Sequence, residues 1–440
     1  MKQTIFLVAM MCFFSLRAVL DPFWAVLLYY ALAIYRPQYI WKWALPPEIR
    51  WSLIAAIVAI LTVVLNLPTL RHRVVQIRFI LLMAFFGLCL GGSYYYAMNH
   101  EIAGRQGWEY AKILIMVILS CFVVTEKWQV RHLAWMIFIC LIYVVYEVNS
   151  LYLFNQRLDI YHNGYGGYDN NGAGLMLAMV IPFCYFFFQA ERRWWRWGYF
   201  VCIFPAVHAV MLTYSRGAML SAFIVGLGMT LGMLRRKALQ TVGLVLMISV
   251  VILALAGPEV RKRFTSIHES DPGRSKQLRY TSWRAGIQIA LDYPIFGVGL
   301  RNSNLLTKQY GCDMEGRTIH NNYIQIAADA GIPAGIIFTG LVGLTLWHLF
   351  LGARITRNQL DQPEQRWFHY VCRASFWSLA TFAVGSIFLS FETFEMCYLL
   401  MLIGAMAPAL ARTAPAVTDL APAVPSTSVH HPSTLRGATA

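Results

Sequence analysis

The residue best placed to hold an anion is Arg216. It stands in the segment Thr213–Gly217 and is the only Lys, Arg, Asp or Glu between Gly198 and Leu234. A lone guanidinium between two apolar stretches is costly unless it meets water or an anion, and its planar fork offers paired N–H donors to phosphate oxygens. The pattern therefore indicates a phosphate clamp; the alternative is an arginine that reaches the membrane surface from a tight turn.

A second arginine group, Arg279 and Arg284, lies in a long polar segment. If a helix begins near Thr281, Arg279 lies just before its N-terminus, where free backbone N–H groups also favour an anion. The alternative for both arginines is an amphipathic helix that rests on the bilayer, with Trp283 and Ile287 among its apolar positions. We predict that Arg279 contacts phosphate and that Arg284 is a candidate substrate-binding residue.

His320 is the candidate general base. Its unperturbed pKa of about 6.5 suits it to take a proton from a sugar hydroxyl near neutral pH. It lies at the start of a predicted helix that leads toward Gly331, and Asn321 follows it as a candidate substrate-binding residue. The alternative is a histidine that only caps the helix or positions a neighbour by a hydrogen bond.

Asp169 and Asn170 open another predicted helix, over 172–190. Asp and Asn are good N-cap residues, so capping explains the pair, and contact with a sugar is the further possibility. The run Gly297-Val298-Gly299 lacks a preceding strand, so it indicates a turn and not a dinucleotide-binding loop.

The elements that position these residues are membrane helices. Of 440 residues, 58% are apolar and 13% charged, and apolar runs long enough to cross a bilayer recur along most of the chain. We predict an all-α polytopic membrane protein with 12 or 13 transmembrane helices, among them helices over 197–214 and 240–257. The two counts differ in the first 35 residues, which form one broken segment or two helices.

Charge predicts the orientation. One set of alternate short loops carries about twice as many Lys and Arg as the other, and such loops remain in the cytoplasm. The chain is then a multi-pass protein of a bacterial inner membrane, and the one large loop, 257–330, faces the periplasm together with Arg216. The net charge of +15 is spread over short loops, so nucleic acid is not an expected partner. The Ala/Pro/Ser/Thr-rich end, 413–440, predicts a disordered cytoplasmic tail.

The ordered set of motifs resembles the O-antigen ligase and polymerase superfamily of bacterial envelope glycosyltransferases. The motifs follow one another in the order found in the core domain of that superfamily. They are Ser215-Arg216-Gly217, Arg279 four residues before Trp283, the run 293–299, and His320-Asn321. The resemblance divides the chain into N-terminal helices 1–200, a core 201–352 that includes the large loop, C-terminal helices 353–412 and the tail. The sequence departs from the family pattern at Ala334, a position where the family usually has Gly, Thr or Tyr. The opening third is also similar to the branch proposed to act beside exosortase systems in O-glycosylation.

The resemblance implies a metal-independent membrane glycosyltransferase without a cofactor. Its partners would be membrane lipids, an undecaprenyl-diphosphate-linked glycan donor, and lipid A core or a protein as the hydroxyl acceptor. Arg216 and Arg279 would hold the diphosphate while His320 activates the acceptor. No Asp-x-Asp metal motif and no metal-ligand spacing occurs in the sequence. A polymerase of the same superfamily, a membrane transporter and a non-catalytic scaffold are the alternatives.

Overall fold

The protein is α-helical. The computed structural model describes residues 2–46, 48–70, 76–154, 158–231 and 272–413, and within them the β structure is confined to an isolated bridge between Tyr165 and Tyr168. The described helices, numbered in chain order, are α1 Lys2–Leu20, α2 Phe23–Tyr35, α3 Pro37–Ile40, α4 Trp51–Leu65, α5 Leu67–Leu70, α6 Ile77–Tyr95, α7 His100–Val123, α8 Lys127–Leu153, α9 Ile160–Asn163, α10 Asn170–Ala178, α11 Ile181–Ala190, α12 Arg196–Val201, α13 Ile203–Leu212, α14 Arg216–Leu231, α15 Pro272–Asp292, α16 Ser303–Leu306, α17 Asn322–Ala330, α18 Ile332–Ile355, α19 Pro363–Gly385 and α20 Glu395–Arg412.

The all-α polytopic membrane class is confirmed. Within the described ranges, seven helical segments are long and apolar enough to cross a membrane, and three further apolar helices are shorter. The predicted 12 or 13 helices include one outside the described residues. Among the described predicted spans, several are short or are broken into two pieces.

Two prolines account for breaks inside predicted spans. The predicted helix 172–190 is two helices, α10 and α11, with Pro182 in the first turn of the second. The predicted helix 197–214 is α12 and α13, with Pro205 near the start of α13. A proline ring clashes with the carbonyl four residues earlier, and those carbonyls belong to Ala178 and Val201, where α10 and α12 end.

The first 35 residues form two helices and not one broken segment. Asp21 and Pro22 separate α1 from α2, and the Asp21 carboxylate accepts a hydrogen bond from the Phe23 amide at 3.0 Å. Thr4, near the start of α1, donates to the carbonyl of Ala44, beyond the end of α2, at 3.0 Å. Because the start of α1 meets the chain beyond α2, the two helices form an antiparallel hairpin.

Helix α20 is the centre of the helical core. Most of its side chains are buried, and it packs against α18, α19, α7 and α2. Small residues allow the close approach to α18, since a Cβ at Gly404 would lie 2.5 Å from Thr345 Cγ2. Such close packing of small residues is a common way for membrane helices to associate.

Contacts between loops divide the molecule into two ends, here called the basic end and the site end. At the basic end Lys127 donates to the carbonyl of Thr413 at 2.8 Å, and Arg366 donates to that of Ala190 at 2.9 Å. The site end gathers the loops that hold Arg36, Gly167, Asn99, Asn302, Asn171, Ser215, Asn322 and Ser386. The predicted orientation of the chain requires this separation of alternate loops.

Some predictions fall outside the described residues. They are the first part of the large loop, 257–271, the predicted helix over 240–257, and residues 414–440 of the predicted disordered tail. The division into segments 1–200, 201–352 and 353–412 likewise stays a prediction.

Candidate functional site

Arg216 is positioned by the start of α10. Asn170 donates through its amide to the carbonyl of Thr213 at 3.4 Å, and the Ser215 hydroxyl donates to Asn171 Oδ1 at 2.8 Å. Thr213 and Ser215 are buried, and Gly174 allows this approach because a Cβ there would lie 2.7 Å from Thr213 Oγ1. The turn before Arg216 is therefore fixed, and Arg216 begins α14 at the site end.

Arg279 lies close enough to Arg216 for their charges to interact. Burial is the larger cause that lowers the pKa of Arg279, and the positive charge of Arg216 lowers it further. Arg216 is exposed and Arg279 is half-buried, and two neighbouring guanidinium groups of this kind are suited to bind an anion.

One prediction about Arg279 is wrong. The helix does not begin near Thr281, because α15 already includes residues from Pro272 onward. Arg279 therefore lies inside the helix, where the backbone N–H groups take part in the helix and cannot bind an anion. An anion at Arg279 would be held by the guanidinium alone.

His320 is held by its backbone, and its ring remains available. The residue has φ of 56°, a left-handed backbone conformation that is uncommon for residues other than Gly. The Trp283 indole on α15 donates to the His320 carbonyl at 3.3 Å. The hydrogen bonds between described residues do not engage its ring nitrogens. The fold thus fixes the place of His320 without using its imidazole.

The surroundings of His320 favour the neutral ring. Burial lowers its pKa most, the charge of Arg279 lowers it further, and Asp169 opposes this. A neutral imidazole is the form that accepts a proton. The same charges show that Arg279 and Asp169 lie within electrostatic reach of His320.

The other predicted site residues have structural partners or are exposed. Asn321 is the N-cap of α17, and its Oδ1 accepts from the amides of Tyr323 and Ile324 at 3.1 Å. Asp169 is the N-cap of α10 and accepts from the amide of Gly172 at 2.7 Å. The capping interpretation of Asp169 thus accounts for one of its oxygens. Arg284 is exposed on α15.

The glycine-rich run after α15 is a turn, as the sequence indicates. The amides of Val298 and Gly299 donate to the carbonyls of Ala328 and Asp329 at 3.2 and 3.0 Å. Gly297 and Gly331 have φ of 66° and 89°, and a Cβ at Gly331 would collide with the carbonyl oxygen of Ile295. This turn therefore joins the end of α15 to the junction of α17 and α18.

The departure at Ala334 leaves the helix packing intact. Ala334 is fully buried, and the neighbouring Gly335 allows contact with α17, since a Cβ there would lie 3.0 Å from Ala327 Cβ. The small residue one place later serves the close approach of the two helices.

An ion pair that sequence reasoning missed lies beside this turn. Arg301 Nε is 2.8 Å from Glu392 Oε1, and the Glu392 side chain is only 2% exposed. Burial opposes the charge of Arg301, but Glu392 and Asp329 outweigh it and raise the pKa of Arg301. In the sequence Glu392 resembles an ordinary acid before a helix. Nothing in the residue spacing connects it to Arg301, 91 positions away.

Asp329 is the centre of a second missed group, the Asp329 network. Its oxygens accept from the Ser303 amide at 3.1 Å and from Gln325 Nε2 at 2.9 Å. Gln325 Oε1 accepts in turn from the amide of Ile319 at 3.4 Å. Burial is the main reason that the pKa of Asp329 rises to about 6. The network supports the segment that ends in His320.

The match to known families agrees with this geometry. Residues 200–339, which include Arg216, Arg279 and His320, match the family model described as O-antigen ligase. This part of the chain is therefore similar to the O-antigen ligase family. The N-terminal residues 1–153 match a family of unknown function, DUF5935. No curated protein matches the chain. The resemblance in the motifs is thereby confirmed for the superfamily, and the exosortase-associated branch stays a prediction.

The match over residues 200–339 supports a function of the O-antigen ligase or polymerase type, in a membrane protein. Among the described residues, no group of three or more His, Cys, Asp or Glu side chains could hold a metal ion.

Proposed function

We propose that the protein is a glycosyltransferase that moves a glycan from undecaprenyl diphosphate to a hydroxyl group of lipid A core or of a protein. The observation that carries the proposal is the convergence of Arg216, Arg279 and His320 at one end of a membrane protein of this superfamily. In this proposal the site end faces the periplasm of a bacterial inner membrane.

The chemistry assigned to each residue follows from its charge and protonation. The acceptor oxygen forms a bond to the anomeric carbon, while the bond from that carbon to the phosphate oxygen breaks. His320, neutral because burial and Arg279 lower its pKa, receives the acceptor proton. Arg216 and Arg279 stabilise the negative charge that develops on the departing undecaprenyl diphosphate. Fixed positive charges are the means by which such a step proceeds without a resident cation.

The polymerase remains the second candidate within the same chemistry. A polymerase uses a second lipid-linked glycan as the acceptor and yields longer chains on the carrier. The superfamily match supports both products equally. Analysis of the products distinguishes a ligase from a polymerase, since a ligase yields a glycan on lipid A core or protein. A transporter or scaffold yields neither this product nor longer chains on the carrier.

The test is glycan transfer by purified protein in detergent with EDTA. Wild type is compared with Arg216→Ala, Arg279→Ala and His320→Ala, and we expect each variant to lose activity by at least about 100-fold. Arg105→Ala is the matched control, because Arg105 is an exposed arginine of α7 that pairs with Glu101 of the same helix. Full activity in all three variants would contradict the assigned site, and loss of wild-type activity in EDTA would contradict metal independence.

A further inference from the structure

The segment between α8 and α10 forms an open cavity of about 370 Å³ at the site end. Six side chains line it: Tyr161, His162, Asn163, Tyr168, Asp169 and Asn170. The volume lies toward the small end of the range for small-molecule sites, about 300–1,000 Å³. An open cavity of this size suits one part of a longer ligand.

The backbone around the cavity is firmly held. Asp159 caps the single turn of α9 by accepting from the amide of His162 at 3.1 Å. The amides of Tyr165 and Tyr168 donate to each other's carbonyls at 2.9 and 3.1 Å. Gly164 has φ of 65°, and a Cβ there would collide with the carbonyl oxygen of Tyr168. The cavity is thus a formed feature of the loop.

Arg36, at the end of α2, supports the part of the wall that Gly167 and Tyr168 form. Its guanidinium lies 4.3 Å from the centre of the Tyr168 ring, and it donates to the carbonyl of Gly167 at 3.2 Å. A cation over an aromatic face stabilises the pair. Because Arg36 has these contacts on the wall, it orders Tyr168 without being one of the lining residues.

The lining matches a sugar better than a phosphate. None of the lining residues is Lys or Arg, and the imidazole of His162 already pairs with Asp159 at 2.7 Å. The Asp169 carboxylate accepts from sugar hydroxyls, and the amides of Asn163 and Asn170 both donate and accept. The Tyr161 side chain is 42% exposed and offers an amphipathic ring for the apolar face of a pyranose.

Two residues that line the cavity connect it to the region of Arg216 and His320. Asp169 lines the cavity and also lies within electrostatic reach of His320, while Asn170 contacts the turn before Arg216. A diphosphate at Arg216 and Arg279 would place its attached glycan beside His320. From there the next sugars can extend toward Tyr161 and Asn163.

We propose that this cavity, the 161–170 pocket, is a glycan-binding subsite that holds sugar residues beyond the reacting one by their hydroxyls and apolar faces. The inference rests on the proposed function for the source of the sugar. The glycan comes from the donor or from a sugar-bearing acceptor, and the experiment distinguishes these sources. The subsite would select for glycan composition, while the arginines recognise only the diphosphate.

The test uses full-length protein and two readouts. The first is saturation-transfer NMR with the oligosaccharide released by mild acid from the lipid-linked glycan fraction of the source cells. The second is the kinetics of transfer with donor and acceptor varied separately. The variants are Tyr161→Ala and Asn163→Ala, and the control is Tyr95→Ala, an exposed tyrosine that does not line the cavity.

We expect wild type and Tyr95→Ala to bind the oligosaccharide and both pocket variants to lose the signal. The KM should rise about tenfold with kcat nearly unchanged, because the pocket contributes equally to ground-state and transition-state binding. A rise in the donor KM assigns the pocket to the donor glycan, and a rise in the acceptor KM assigns it to the acceptor.

Two results would overturn the subsite: no saturable binding by wild type, or binding and KM values that the pocket variants leave unchanged. Failure of the proposed function gives a different result. Wild type would then transfer no glycan, yet would bind the oligosaccharide in a manner that depends on Tyr161.

Discussion

The protonation state of His320 is set by where the fold places it. A half-buried imidazole loses part of the hydration that favours its charged form, and Arg279 adds a repulsive positive charge. Both effects lower the pKa of His320, so the ring becomes protonated only below its ordinary range. The ring is therefore ready to accept a proton at neutral pH, which a general base requires.

A first prediction concerns the pH dependence of transfer. Loss of the charge in Arg279→Gln raises the pKa of His320, so the acidic limb of the kcat/KM profile moves to higher pH. Arg317→Gln should move it in the same direction, because Arg317 also lowers the pKa of His320 and lies outside the proposed phosphate site. The profiles of wild type, both variants and Arg105→Gln are compared. An acidic limb that stays in place in both variants would show that His320 is not the titrating base.

A second prediction concerns the two arginines without substrate. Arg216 and Arg279 repel each other, so Arg279→Ala should leave the thermal unfolding midpoint unchanged or raise it in anion-free buffer. Added pyrophosphate should raise the midpoint of wild type and of Arg105→Ala but not of Arg279→Ala, since binding to the native state stabilises it. An equal shift in all three proteins would place the anion elsewhere.

Residue types alone suggested Arg216, Arg279 and His320 as candidates, because each carries a charge or a proton equilibrium that an apolar environment makes costly. The pairing of Arg301 with Glu392 could not be predicted, since it depends on how two distant loops meet. The interpretation of Arg279 as a residue before a helix was wrong for a related reason. The first turns of α15 are polar, so hydrophobic periodicity does not reveal them.

At the scale of elements, the candidate site depends on the junction of α17 and α18. Gly331 has φ of 89° and lies against the carbonyl of Ile295. A third prediction is that Gly331→Ala lowers the free energy of unfolding by about 1–3 kcal/mol or more, through backbone strain and collision. Gly340→Ala is the control: Gly340 lies within α18 with no atom near its Cβ position, so this change should stabilise the helix. Thermal unfolding in detergent measures both, and equal midpoints would contradict the role of Gly331.

The Asp329 network gives a fourth prediction, on stability. Burial raises the pKa of Asp329 to about 6 in the folded protein, above the value of about 3.9 in an unfolded chain. Between these values the folded state binds the additional proton, so the contribution of Asp329 to stability grows as pH falls from 7 to 4 and is lost as pH rises through 6.

Asp329→Asn removes this titration. The difference in unfolding midpoint between wild type and Asp329→Asn should therefore shift in favour of wild type as pH falls from 7 to 4. The effect corresponds to roughly 1–3 kcal/mol. A difference that does not change with pH would mean that Asp329 keeps its unfolded pKa. Glu101→Gln, at an exposed residue of α7, controls for general effects of acid.

The apolar runs predicted most membrane helices because a bilayer-spanning helix needs nothing beyond length and hydrophobicity. They did not predict the breaks at Pro182 and Pro205, since prolines are tolerated inside membrane helices when neighbours satisfy the backbone. The part of the site end formed by residues 293–321 was less predictable from the sequence. The turn 293–299 and the cap at Asn321 acquire their meaning only from the packing of α15 on α17.

At the scale of the whole molecule, the two ends differ in what they carry. The basic end has Arg131 over the Trp367 ring at 4.5 Å and Arg192 near Asp361 at 3.7 Å. The site end has the two arginines, His320 and the 161–170 pocket. The separation of the ends follows from alternation of the helices. The assignment of each end to a compartment rests on the charge of the loops.

That assignment leads to a fifth prediction. Single cysteines are introduced at Lys308, an exposed residue of the site end, and at Arg192, an exposed residue of the basic end. Cys12 is replaced by Ser, because it is the exposed member among the nine native cysteines. A membrane-impermeant maleimide should label Lys308→Cys in intact spheroplasts, and it should label Arg192→Cys only after lysis.

The outcome decides more than topology. Undecaprenyl-diphosphate-linked glycans with a periplasmic acceptor can meet the arginines only if Lys308→Cys is labelled from outside. The reverse pattern would place Arg216, Arg279 and His320 on the cytoplasmic side, opposite to the face on which the proposal puts the reaction. The ligase proposal would then fail even if the purified protein bound pyrophosphate, because the anion site would face the wrong compartment.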